Sequence, residues 1–170
     1  MSLSQQGLIS KSYRYHGGMR KTANFAMDSQ EYKRTAFLCH SHKDESLVKG
    51  LLVHFQEKGV NLYVDWLDSE MPETPNEETA SRIQGKIKSA YYFFFLATAN
   101  SKASRWCPWE IGYADGVGKK VCIISTSDDH NTYGNEYLQL YSHIDEGHSK
   151  DGTRHGLALF EPNRGNASWL

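Results

Sequence analysis

Four short apolar runs, spaced by stretches of helical periodicity, constrain this chain more than any other feature. The runs are Thr35-Ala36-Phe37-Leu38-Cys39, Val60-Asn61-Leu62-Tyr63-Val64, Tyr91 to Ala97, and Val121-Cys122-Ile123-Ile124. Near-continuous apolar runs of this length suit strands buried on both faces. After the first run, Leu47, Leu51, Leu52 and Phe55 recur at three and four residues and stop at Gly59, the stripe of an amphipathic helix. A proline-bearing acidic loop from Trp66 to about Asn76 leads into a helix over Glu77 to Ser89, with Ala80, Ile83 and Ile87 on one side. Trp109 to Val117 reads as a third helix, ended by Gly118. Strands alternating with helices imply crossover connections and a parallel sheet flanked by helices on both faces.

That pattern assigns residues 34–146 to one domain. Within it, Asp128 to Gly134 reads as loop, Tyr137 to Tyr141 as a short helix and Ser142-His143-Ile144 as a fifth strand. Residues 1–33 form a polar arm broken at Gly17-Gly18, with a short helix near Ser29–Lys33. Residues 147–170 form a C-terminal extension: a loop over Gly147 to Gly156, then an added strand, Leu157-Ala158-Leu159-Phe160.

Composition narrows the partners. A net charge of -1 offers no broad attraction to nucleic acid or to an anionic membrane. Cys39, Cys107 and Cys122 form no C-x-x-C pair and leave one over, which suits a reducing compartment rather than a disulfide framework. No apolar run approaches the roughly 20 residues of a membrane helix, and the N-terminus lacks the order of a secretory signal. A cytoplasmic location is expected.

In open parallel sheets, ligands bind outside the carboxyl ends of the strands. Those ends carry His40-Ser41, Asp65-Trp66, and Thr98 to Arg105. Neither G-x-G-x-x-G nor G-x-x-x-x-G-K-[ST] is present, so the usual phosphate-cradling loops are missing. The segment Phe37-Leu38-Cys39-His40-Ser41-His42-Lys43-Asp44 is similar to the F-x-S-[HY]-x-x-x-D start of Toll/interleukin-receptor (TIR) domains. Gly59-Val60 to Asp65 resembles their second strand. Ser101 with Trp106-Cys107-Pro108-Trp109-Glu110 resembles the S-x-W-x-x-x-E region of the catalytic members. The match runs over about residues 34 to 125 in the family's order. Ser41 falls one place later than the family's serine, and Pro108 is unusual inside the motif.

The resemblance implies a flavodoxin-like sheet of about five strands. It implies NAD+ as substrate without a further cofactor, and hydrolysis to nicotinamide and ADP-ribose or cyclisation to a signalling nucleotide. Self-association through TIR–TIR contacts, a downstream effector that senses the product, and a place in antiphage defence of the Thoeris type follow from it too.

Glu110 is the catalytic candidate. Nicotinamide leaves a pyridinium as a neutral molecule, so no acid is needed to protonate it, unlike the oxygen expelled by ordinary glycosidases. One carboxylate near the ribose can stabilise the oxocarbenium charge. Trp106 and Glu110 lie one helical turn apart, and a helix starting near Pro108 puts Glu110 in its first turn. The plain alternative is a first-turn glutamate favoured by the helix dipole. His40, Ser41, Asp65, Trp66, Ser101 and Trp106 complete the expected substrate-binding set. Ser41 is read as the cap of a helix beginning near Lys43, with Asp44 as its capping-box partner and a pyrophosphate at the same N–H groups. Asp65 binds a ribose hydroxyl or closes a turn; Trp66 stacks on a ring of the substrate; Trp106 packs or touches ligand.

Three rival readings remain. His40, His42 and Asp44 match H-x-H-x-D and can converge on zinc, as in a metallohydrolase. A non-enzymatic TIR adaptor shares the fold, and fold alone does not decide function. A nucleoside deoxyribosyltransferase also sets a carboxylate at ribose, but its nucleophile loop is not evident here.

Overall fold

The computed structural model describes residues 2–16, 35–72, 74, 76–149, 151–162 and 167–170. Its elements are β1 (Leu3–Ser4), α1 (Gln5–Ser12), β2 (Thr35–Cys39), α2 (Glu45–Gln56), β3 (Asn61–Tyr63), α3 (Glu77–Ser89) and β4 (Tyr92–Ala97). They continue with α4 (Ala99–Lys102), α5 (Trp106–Gly116), β5 (Lys120–Ser127), β6 (Thr132–Tyr133), β7 (Ser142–His148), β8 (His155–Phe160) and β9 (Ala167–Trp169).

Five strands run parallel in the order β3-β2-β4-β5-β7, and β8 and β9 extend the sheet antiparallel beyond β7. The parallel part is the flavodoxin-type order, with a switch point between β2 and β4 where the strand order reverses. All five residues of β2 are buried. The two-residue period of a strand sends alternate residues to opposite faces. Ala36, Leu38, Phe94, Leu96, Cys122 and Ile124 meet α2 through Leu47, Val48, Leu51 and Phe55. Phe37, Cys39, Phe93, Phe95, Val121 and Ile123 meet α3 and α5 through Ile83, Ile87, Cys107, Ile111 and Ala114. Two apolar layers therefore share one sheet.

The helix ends follow from local chemistry. Asn76 Oδ1 accepts from Thr79 N at 2.9 Å and Thr79 Oγ1 from Asn76 N at 3.2 Å, a reciprocal cap that starts α3. Gly59, at φ 75°, ends the turn after α2 in the left-handed region.

The two ends of the chain differ most from expectation. Residues 3–12 are strand and helix: β1 pairs with β5, and α1 buries Leu8 against the α2 layer. With Leu8 its one buried residue, α1 carries no apolar stripe to announce it. The helix expected near Ser29–Lys33 lies outside the described residues. Gly147 to Gly156 is not a continuous loop, since β7 runs to His148 and pairs with β8 from His155. Between β5 and β7, Thr132–Tyr133 pairs with β5 where loop was expected, and a 3-10 turn over Asn135–Tyr137 replaces the helix expected over Tyr137 to Tyr141. β9 arises in the segment after β8, for which the sequence pattern indicates no element. Strand pairing, not periodicity, orders these segments.

Candidate active site

The loops after β2, β3 and β4 bound a cleft of about 330 Å³, lined by His40, Ser41, His42, Lys43, Asp65, Thr79, Ile83, Asn100, Ala103, Ser104, Trp106 and Glu110. It sits at the carboxyl ends of the strands, at the topological switch point. Of the expected residues, His40, Ser41, Asp65, Trp106 and Glu110 line it. Trp66 stands behind them, its indole Nε1–H donating to His40 Nε2 at 2.8 Å. Ser101 does not line the cleft: it is buried, its Oγ donates to Thr98 O, and its backbone N–H donates to Thr98 Oγ1. Thr98 is the N-cap of α4, and Ser101 Oγ, accepting from Thr98 N at 2.8 Å, completes the capping box.

Glu110 is brought to the cleft by α5, which begins at Trp106, earlier than periodicity suggested. Ser104 Oγ accepts from Trp106 N at 3.2 Å and from Cys107 N at 3.3 Å, capping the first turn. Pro108 is tolerated there because first-turn N–H groups have no helical partner. Glu110 consequently falls just past the first turn, where the dipole of the helix end no longer explains a carboxylate. Only 6% of the residue is exposed. Burial raises its pKa to about 8, and the nearby Cys107 and Asp65 push the same way against a hydrogen bond from the Cys39 thiol. Cys39, fully buried at the end of β2, lies beneath the carboxyl, its Sγ 3.9 Å from Cys107 O. A cysteine ending an apolar strand gave no sign of this contact.

Across the cleft, the hydrogen bonds determine how the histidines are protonated. Trp66 Nε1–H can only donate, so His40 Nε2 accepts and His40 Nδ1–H donates to Leu38 O at 3.0 Å. Burial lowers the pKa of His40 and keeps it neutral. His42 Nε2 lies 2.9 Å from Asp65 Oδ2, and that hydrogen bond raises the His42 pKa. Burial pushes the Asp65 carboxyl up, but the bond from His42, the charge of His42 and the bond from Trp66 N outweigh it and hold it below its ordinary value. Asp65 also accepts from Trp66 N through Oδ1 at 2.8 Å. It therefore both closes the turn and lines the cleft.

Ser41 caps as expected, its Oγ accepting from Lys43 N at 3.3 Å at the head of a 3-10 turn over His42–Asp44. Asp44 does not complete a capping box. Its carboxylate is buried and accepts from Thr98 Oγ1 at 2.6 Å and Asn100 Nδ2 at 2.7 Å, tying the β2 loop to the β4 loop. This removes Asp44 from the zinc reading. Among the described residues, the His, Cys and carboxylate trio whose ligand atoms already lie within 4.8 Å of one another is His40, His42 and Asp65. In it His40 Nε2 accepts from Trp66 Nε1–H, and Asp65 accepts from Trp66 N and pairs with His42 Nε2.

A parallel α/β sheet of flavodoxin order, carrying one buried carboxylate in a cleft at its switch point, defines the class. The TIR-domain profile matches residues 36–154, and the chain belongs to that family. It is 31% identical over 161 residues to a Bacillus cereus protein bearing the name "Probable 3' cyclic ADP-D-ribose synthase ThsB'", a match covering 85% of this chain and 83% of that relative. A Cytobacillus dafuensis protein, provisionally assigned by its name as cyclic ADP-D-ribose synthase TIR2, is 31% identical over 96 residues. That match takes in 55% of this chain and 25% of the relative.

Proposed function

We propose that this TIR domain breaks the bond between nicotinamide and ribose in NAD+ and closes the remaining ADP-ribose into a cyclic nucleotide of the 3' cyclic ADP-ribose type. The observation that carries the reading is Glu110, a carboxyl buried at the wall of a cleft formed by the strand ends. As the C–N bond breaks, its electron pair passes to the pyridinium nitrogen and nicotinamide leaves neutral. The positive charge moves to the ribose, where ionised Glu110 stabilises it in a site partly closed to water. A nucleophile within the same ADP-ribose then captures the cation and gives up a proton, which closes the ring; capture by water gives linear ADP-ribose instead.

The other cleft residues suit the rest of the substrate. Lys43, at the cleft wall, offers positive charge to the pyrophosphate. Trp106 offers an aromatic face at the cleft wall, and neutral His40, pinned between Leu38 and Trp66, keeps that side rigid. Asp65 is ionised and adds negative charge facing the cationic pyridinium.

The cyclic product is favoured over hydrolysis by the relative whose name specifies such a synthase and whose match spans most of both chains. We place the protein in the cytoplasm, self-associating through TIR–TIR contacts and serving antiphage signalling through an effector that senses the product. The described helices include none long and apolar enough to cross a membrane. The test is chromatography with mass detection of NAD+ incubated with concentrated protein. The reading expects nicotinamide and a nucleotide one water lighter than ADP-ribose, both lost in Glu110→Ala. A product of ADP-ribose alone would replace cyclisation by hydrolysis, and equal turnover by the variant would remove Glu110 from the chemistry.

A further inference from the structure

A second cluster of imidazoles lies away from the cleft, where the β7–β8 hairpin meets α2. The register of the hairpin sets His148 directly opposite His155, and their ring centroids are 4.4 Å apart. Glu146 precedes His148 by two residues and therefore shares its face of β7. Its Oε2 lies 3.6 Å from His155 Nε2 and its Oε1 3.7 Å from His54 Nε2 on α2. The His54 side chain is only 4% exposed, yet among the described residues neither of its ring nitrogens has a hydrogen-bond partner. His54, Asp145, Glu146 and His148 all line an open cavity of about 350 Å³.

A buried imidazole without a hydrogen bond is a cost that native structures rarely carry unexplained. We propose that His148, His155 and Glu146 bind a divalent transition-metal ion of the zinc class, with His54 holding the carboxylate from behind. Imidazole nitrogen and carboxylate oxygen are the ligands such ions take, at about 2.0–2.2 Å. In a tetrahedral shell this puts ligand atoms roughly 3.3 Å apart, within a few tenths of an ångström of the Glu146–His155 separation. His148, His155 and Glu146 are exposed side chains that can turn onto an ion. With Oε2 on the metal, Oε1 is left to accept from His54 Nε2–H, the kind of outer bond that orients a metal-bound carboxylate. The site is then three protein ligands with a fourth position open to water. It is separate from the trio in the cleft, where His40 Nε2 accepts from Trp66 and Asp65 pairs with His42.

The test is calorimetric titration of the tag-free protein with zinc chloride, followed by thermal melts with and without zinc. Wild type is expected to bind one equivalent and to melt higher with zinc. His155→Ala and His148→Ala should each weaken binding at least 10-fold and abolish the rise in melting temperature. His54→Gln should keep the stoichiometry and lose about 10-fold in affinity, the usual range for an outer partner. His42→Ala, which dismantles the cleft trio, should leave the hairpin isotherm unchanged. Circular dichroism without metal confirms that each variant is folded. Loss of the equivalent in His42→Ala but not in His155→Ala, or no saturable binding in wild type below about 1 mM zinc, overturns the proposal.

Discussion

Replacing Glu110 by glutamine should stabilise the protein, and increasingly so as pH rises. The carboxyl has an ordinary pKa of 4.5 and a folded one of about 8, raised chiefly by burial. The direction is opposite to that of a salt-bridged carboxylate. Because the folded value is the higher one, its contribution is complete below pH 4.5 and is lost as pH climbs through about 8. At pH 7 the unfolded chain has gained most of the ionisation free energy available over the 2.5 pH units above 4.5. At about 1.4 kcal/mol per unit, the native state is disfavoured by roughly 3 kcal/mol there and by roughly 5 kcal/mol above pH 8. Glutamine keeps the shape and carries no charge to desolvate. For a chain of this size, roughly 3 kcal/mol corresponds to about 6–12 °C in melting temperature. Urea or thermal unfolding of both proteins at pH 5, 7 and 8.5 measures the difference. A small gap at pH 5 that widens steadily is expected. A gap that does not change with pH would show that the carboxyl is not desolvated in the fold, and the reasoning about its burial would be refuted.

The same ionisation should shape turnover: kcat/KM for nicotinamide release should rise with pH through about 8 and level off above it, and a profile falling over that range would contradict an ionised Glu110 as the working form. The Cys39 thiol favours the ionised carboxylate, so Cys39→Ala should move that acid limb to higher pH while Cys39→Ser leaves it near wild type; an unmoved limb in the alanine variant would dismiss the contact. Gly50→Ala places a Cβ 1.9 Å from the Leu8 carbonyl oxygen, so α1 must lift from α2. Hydrogen exchange over residues 5–12 should accelerate and global stability should fall by roughly 1–3 kcal/mol, whereas unchanged protection would deny the close helix packing.

The centre of the fold was legible because its chemistry is repetitive. Runs such as Phe93-Phe94-Phe95 and the stripe Leu47, Leu51, Phe55 read directly as strand and helix, and both apolar layers follow from alternation along the strands. The edges were less so: β8 follows from the apolar run Leu157 to Phe160, but β6, β9 and α1 are ordered by pairing or docking that no local period records. In the cleft, His40, Ser41, Asp65, Trp106 and Glu110 could be placed from the strand ends and the TIR motif. Asp44 could not: its bonds to Thr98 and Asn100 span more than fifty residues and join two loops. For Ser101 the sequence does not discriminate, because a polar residue beside a strand end looks the same whether it completes a helix cap or faces a ligand.

The most direct measurement is the initial rate of nicotinamide release from NAD+ at pH 8 by wild type and Glu110→Gln, each first shown to be folded. Loss of the charge facing the ribose cation should lower the rate by at least about 100-fold, as for other groups that stabilise transition-state charge. A glutamine variant that retains the wild-type rate would mean that the bond breaks without this carboxylate.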